Sequence, residues 1–171
     1  MADRNTTHPP ESSEPAKLTA SASNAMTSQE IEDFLNKKQD ARLATIRSDG
    51  FPHITPVWYW AEDGKVYFTL GESRMHLRNL RRNPNSTLLM DEDMRLTEGW
   101  KGGARAVMLR GTAEIVQDES QLEHYEKKMT DLYLGDEQYD PEFLASMDSE
   151  KRYLVVHTPT GKLTWDYTKT A

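Results

Sequence analysis

Two Asp-Gly pairs, Asp49-Gly50 and Asp63-Gly64, each stand between short runs rich in β-branched and aromatic residues. Asp-Gly accepts the positive φ of the tight turns that join antiparallel strands, so each pair is a hairpin signal. The runs they separate, residues 41–48, 52–60 and 66–70, are read as three consecutive strands of an antiparallel meander. The same pattern continues. Residues 86–91 form a fourth strand and 104–116 a long fifth one, with Val107, Leu109, Ala113 and Ile115 on one face and Met108, Arg110, Thr112 and Glu114 on the other. Gly111 in its middle predicts a bulge or a close backbone approach. Residues 152–158, a Pro159-Thr160-Gly161 turn and residues 162–167 complete a last hairpin. Six or seven antiparallel strands with few helices fold most economically as a barrel, because closure removes exposed edges.

Helices are few and marked. Thr27-Ser28-Gln29-Glu30 has capping-box spacing and is followed by Ile31, Phe34 and Leu35, predicting a helix over 28–38. Ser73 is read as the N-cap of a helix over 73–82 that Pro84 stops. Residues 119–134 put Leu122, Tyr125, Met129, Leu132 and Tyr133 on one stripe, and 141–147 make a short helix capped by Asp140 with Pro141 first.

Residues 1–25 contain no aromatic residue, no Ile and no Val, but carry Pro9, Pro10 and Pro15. Such a segment cannot bury enough apolar surface to offset its ordering entropy, so it is read as a disordered tail preceding one domain over 26–171. It resembles neither a secretory signal nor a mitochondrial presequence, which leaves a cytoplasmic protein as the reading. The apolar runs are too short to cross a bilayer as helices, and no membrane partner is expected.

The absence of cysteine removes thiol nucleophiles and thiolate metal sites. The five histidines show no metal-ligand spacing, and no metal is expected. No nucleophile motif or acid–base dyad is visible, so no catalytic side chain is assigned. Gly99-Trp100-Lys101-Gly102-Gly103 is read as a mobile loop without P-loop spacing.

Two stretches remain. Arg74, Arg78, Arg81 and Arg82 supply four positive charges without an intervening acid, in a chain of net charge −7, beginning at a predicted helix start where free amides favour an anion. Two readings stand: a phosphate site, or a solvated basic face paired with Asp91, Glu92 and Asp93. The overall acidity argues against nucleic acid as the partner of this face. In the second stretch, 52–60, Pro56 cannot donate to a sheet ladder, which leaves an edge, a bulge or free backbone that a flat heteroaromatic ring could use. Its Ile54, Trp58 and Trp60 share one face, and these aromatics equally suit a core or a dimer interface.

The order "ARLATIRSDGFPHITPVWYW", "GKVYFTLGESRMHLRNLRRNP", "ARAVMLRGTAEIV", "KLTWDY" resembles the pyridoxamine 5′-phosphate oxidase-like split β-barrel superfamily, in particular its short members that bind FMN or the deazaflavin coenzyme F420. The resemblance spans about residues 28–169. It implies a homodimer of six-stranded barrels with the cofactor at the subunit interface. By position, it puts the cofactor phosphate on Ser73, Arg74, His76 and Asn79, the strand flanking the tricyclic ring on Thr55, Pro56, Val57 and Trp58, and a C-terminal aromatic on Trp165. Position 76, often Lys in the family, is His here, which makes Arg74 the firmer phosphate contact. The implied activity is an oxidoreductase whose FMN or F420 exchanges hydride with a small organic substrate. A non-catalytic flavin or haem carrier on the same barrel is the alternative.

Overall fold

The computed structural model describes residues 24–92, 105–135, 142 and 150–170. Nearly all of the tail, the loop over 99–103 and the short helix over 141–147 lie outside these residues, Glu142 apart. Seven strands and three α-helices are found among the described residues: α1 (Ser28–Leu35), β1 (Ala41–Ile46), β2 (Pro52–Val57), β3 (Trp60–Glu62), β4 (Lys65–Gly71), α2 (Met75–Arg82), β5 (Asn85–Asp91), β6 (Arg105–Val116), α3 (Glu119–Tyr133) and β7 (Arg152–Asp166), followed by a 3₁₀ turn, Tyr167–Thr170. All strand pairs are antiparallel, in the order β2-β1-β5-β6-β7-β4-β3.

That order bends the sheet. β2 and β3 stand at opposite ends of it, yet only Trp58 and Tyr59 separate them in sequence. Three Cα steps of 3.8 Å span at most about 11 Å, so the two ends must curl toward each other. The result is a barrel left open along one line, a split barrel. Among the described residues β2 pairs only with β1, and β3 pairs with β4 only over Lys65–Tyr67, so one side of residues 68–71 of β4 has no strand partner there. These two edges border the split.

The expected three-stranded meander is therefore corrected. Asp49-Gly50 joins β1 to β2 as anticipated, but Asp63-Gly64 joins β3 to β4 at the far end of the sheet. The crossover at Trp58-Tyr59 carries no Gly or Pro; it is fixed by burial, with Tyr59 almost fully enclosed and its N–H donating to the Tyr133 hydroxyl at 3.2 Å. The last hairpin is likewise absent. Residues 152–166 form one strand that pairs with β6 from Leu154 to Asp166, with a register shift that leaves Thr160 as an extra residue opposite Arg110 and Gly111. A bulge absorbs what the sequence presents as a Pro-Thr-Gly turn. Gly111 makes the close approach read from the sequence: a Cβ there would stand 2.1 Å from the Thr158 carbonyl oxygen.

The core fills the curl. Phe34, Leu43, Phe68, Leu77, Leu88, Met90, Val107 and Val155 are fully buried in one cluster. α1 starts on the capping box, with Thr27 Oγ1 accepting from the Glu30 amide and Glu30 Oε2 accepting from the Thr27 amide, and ends three residues earlier than its pattern suggested. Leu77 and Leu80 anchor α2, each burial contributing about 1.5–3 kcal/mol. α3 packs over β3 and β4, where the Tyr125 and Tyr67 rings stack at 3.9 Å and Glu62 receives Lys128 and the Tyr125 hydroxyl.

Candidate functional site

A cleft of about 390 Å³ lies in the split. Thr55, Pro56, Val57 and Trp58 form one wall and the unpartnered stretch of β4, Thr69–Gly71, another. Arg74 and His76 stand at one end, and Glu126, Met129 and Thr130 of α3 close it over. An edge strand offers the outward backbone groups of alternate residues, and Pro56 withholds a donor from its own position. Trp58 is held as a flat platform, its ring stacked on Tyr133 at 4.8 Å and 12°. Tyr133 is itself pinned by donating to the Gln39 carbonyl at 2.6 Å, and burial pushes its pKa up to about 12.

The polar end begins where β4 gives way to α2. The Arg74 amide closes a turn onto the Gly71 carbonyl at 3.1 Å. Arg74, not Ser73, is the N-cap, and no side chain caps the helix. Ser73 stands one residue ahead of the cap; its amide donates to Glu150 Oε2 at 2.8 Å, and Arg74 Nε donates to Glu150 Oε1 at 3.0 Å. The Ser73 bonds, with Arg74 adding to them, hold the Glu150 carboxyl below the usual carboxylate range. His76 stacks on His53 with ring centroids 6.0 Å apart. Burial, then the nearby His53 and Arg74, lower its pKa to about 4, so its imidazole is neutral at neutral pH and has one N–H to offer. Deeper in, Arg152 Nε donates to Glu126 Oε1 at 2.6 Å and its guanidinium also reaches the Thr69 hydroxyl.

The basic stretch does not act as one face. Arg81 binds Glu72 through two bonds of 2.7 and 3.1 Å and draws that carboxyl down to about 2; Arg82 bonds the Ile46 carbonyl; Arg78 leans on the Ser73 carbonyl at 3.4 Å. Asp91 and Glu92, the partners of the solvated-face reading, pair instead with Arg42, and with Lys37 and Arg105. Asp93 lies outside the described residues. Of the four arginines, Arg74 alone lines the cleft.

Thus six sequence-predicted residues, Thr55, Pro56, Val57, Trp58, Arg74 and His76, come together around one cavity. Ser73 touches its rim through the amide bound to Glu150. Asn79 points the other way: it is buried and donates to the Thr45 hydroxyl at 3.0 Å. Trp165 pairs with Ala106 on the β6–β7 seam and does not line the cleft. Sequence reasoning missed Glu126, Thr130, Glu150 and Arg152, and placed Met129 only in a core stripe. The alternation of charge with apolar residues on α3 was the only signal for its share.

Fold and cleft together define a split β-barrel protein with a groove between two sheet edges, walled by Thr55–Trp58 and ending at the Arg74–Glu150 ion pair. The chain belongs to the pyridoxamine 5′-phosphate oxidase family, which it matches over residues 27–164. Among solved structures it is similar to the conserved hypothetical protein Rv2991 from Mycobacterium tuberculosis, with 29% identity, a TM-score of 0.74, and coverage of 89% of this chain and 92% of that one. It is similar to an F420 reductase with 26% identity and a TM-score of 0.57, covering 77% of this chain and 94% of that one. The haem storage protein HutZ from Vibrio cholerae shares the fold at 18% identity and a TM-score of 0.61, over 81% of this chain and 94% of that one.

Proposed function

We propose that the protein is a cytoplasmic oxidoreductase that binds FMN or coenzyme F420 in this cleft, at a homodimer interface, and transfers hydride to or from a small organic substrate. The observation that carries the reading is the convergence of two separate sequence stretches, 55–58 and 74–76, on one cavity: an edge-strand wall at one side and the Arg74 and His76 side chains at the other. That donor set suits a phosphorylated tricycle. Arg74 and the Ser73 amide would hold the phosphate, with the His76 N–H beside them. The ring would lie along Thr55–Val57, with Trp58 fixed in place by Tyr133. When bound, the cofactor supplies the hydride-exchanging ring. The chain's own part is to orient that ring, present the phosphate donors, and exclude water with the α3 residues Met129 and Thr130. Asn79 contributes indirectly, by locking α2 to β1 through Thr45, and Trp165 takes no part within one copy.

The homodimer is supported by an apolar patch at the β1–β2 hairpin, where Phe51 is 69% and Ile54 63% exposed and Ile46 adjoins them. Similarity to an F420 reductase supports the deazaflavin option. The test is titration of the purified protein with FMN and with F420, followed by fluorescence. Micromolar or tighter binding of one of them is expected, with reduction or oxidation of a small acceptor on mixing. Binding without any turnover would leave a carrier, and binding of neither would end the proposal.

A further inference from the structure

Glu150 stands where the phosphate of the proposed ligand would go. Its two oxygens take the Ser73 amide at 2.8 Å and Arg74 Nε at 3.0 Å, the two donors that make the cleft's end attractive to an anion. The carboxylate lies against the bare backbone of Gly71: a Cβ there would be 2.1 Å from Oε1. It is more enclosed than its partner, with the Glu150 side chain 22% exposed against 62% for Arg74. The second cation in the cleft, Arg152, is likewise bound to a carboxylate, Glu126. The cleft therefore meets a ligand with its positive charges already partnered, and an incoming phosphate faces a fixed negative charge at its own docking position.

Resting on the reading of this cleft as a phosphate-bearing cofactor site, we infer that Glu150 selects against a dianionic phosphomonoester and in favour of a monoanionic phosphodiester. The argument is Coulombic. Whether Glu150 swings away or stays, each negative charge on the ligand's phosphate must work against it, because leaving forfeits its bonds to Ser73 and Arg74, and staying sets like charges within about 5 Å. A phosphomonoester near neutral pH carries close to two charges, a phosphodiester one. FMN is a monoester; coenzyme F420 joins its phosphate in a diester. Glu150 thus tilts the cleft toward the deazaflavin without touching either ring.

The experiment compares FMN, F420 and the phosphate-free riboflavin on the wild-type protein, Glu150→Gln and Arg74→Ala, by equilibrium fluorescence titration. The readout is the change on substitution for each ligand, since the remainders of the molecules differ. Glu150→Gln is expected to tighten FMN about fourfold more than it tightens F420, the factor for one additional charge about 5 Å away in water, and to leave riboflavin unchanged. An equal change for FMN and F420, or weaker binding of both, would overturn the inference and make Glu150 a positioning residue for Arg74. A changed riboflavin affinity would overturn it too, by showing that the variant reshapes the cleft. If Arg74→Ala leaves FMN and F420 unaffected, or neither binds at all, the cofactor reading itself falls, and that outcome is distinct from the first two.

Discussion

The seam between β6 and β7 and the split between β2 and β4 are built from one sheet, and each contains a histidine whose pKa is depressed to about 4 chiefly by burial. In the seam, His157 is wholly enclosed, with Nδ1 2.9 Å from the Ser86 hydroxyl, and the strands around it pair over twelve residues of β6. In the split, His76 lies on a cavity, stacked on His53 and close to Arg74 and Glu150, between edges that no strand among the described residues completes. A shifted titration is thus no mark of function by itself. What separates the two is enclosure: strands on both sides close over His157, whereas His76 lies on a cavity that a ligand can enter.

The largest effect should come from the seam. Gly111→Ala forces a Cβ onto the Thr158 carbonyl and Pro159, backbone that cannot rotate away, and is expected to destabilise the protein by about 3 kcal/mol or more in urea unfolding. A stability equal to wild type would mean that the two long strands do not meet there. Next comes Arg74→Ala in the split, expected to weaken phosphate-bearing ligands by about 1.5–3 kcal/mol while moving stability by less than about 0.5 kcal/mol, because the side chain is largely exposed. The reverse pattern would make Arg74 a structural ion pair.

Acid separates the regions further. A histidine with a depressed pKa stays neutral in the fold while its unfolded counterpart charges, so the fold binds fewer protons and stability rises with pH in that window. Stability should therefore be full above about pH 6.5 and fall toward pH 4, by up to about 1.4 kcal/mol per pH unit from His157 and by less from the partly solvated His76. Nuclear magnetic resonance titration should show both midpoints near 4. Added FMN should raise that of His76 and leave that of His157 in place; equal movement of both would erase the distinction. The smallest effect is Ser86→Ala, which removes the His157 partner at a cost of about 1 kcal/mol and leaves ligand affinity untouched.

The same contrast explains what could be read from the sequence. The faces of β6 were legible because alternation is a local signal: Val107, Leu109 and Ala113 are buried, while Thr112 and Glu114 are exposed. The Trp58-Tyr59 crossover was not, since the burial of Tyr59 under Tyr133 is a tertiary fact with no turn residue to announce it. Pro159 and Gly161 misled for the opposite reason, as a bulge tolerates the residues a turn prefers. In the cleft, Thr55–Trp58, Arg74 and His76 belong to contiguous stretches with their own chemistry. Glu150 and Arg152 reach it from β7 and its approach, some eighty residues away in sequence, and no spacing rule joins them to Ser73 or Thr69.

The central claim is that the split holds a phosphorylated flavin or deazaflavin in a two-copy assembly. Native mass spectrometry of the protein with FMN and with F420 tests it most directly: the account predicts a dimer carrying up to two molecules of at least one cofactor, with the adduct diminished in Arg74→Ala. A protein that takes up neither cofactor, or an adduct indifferent to Arg74, would contradict it.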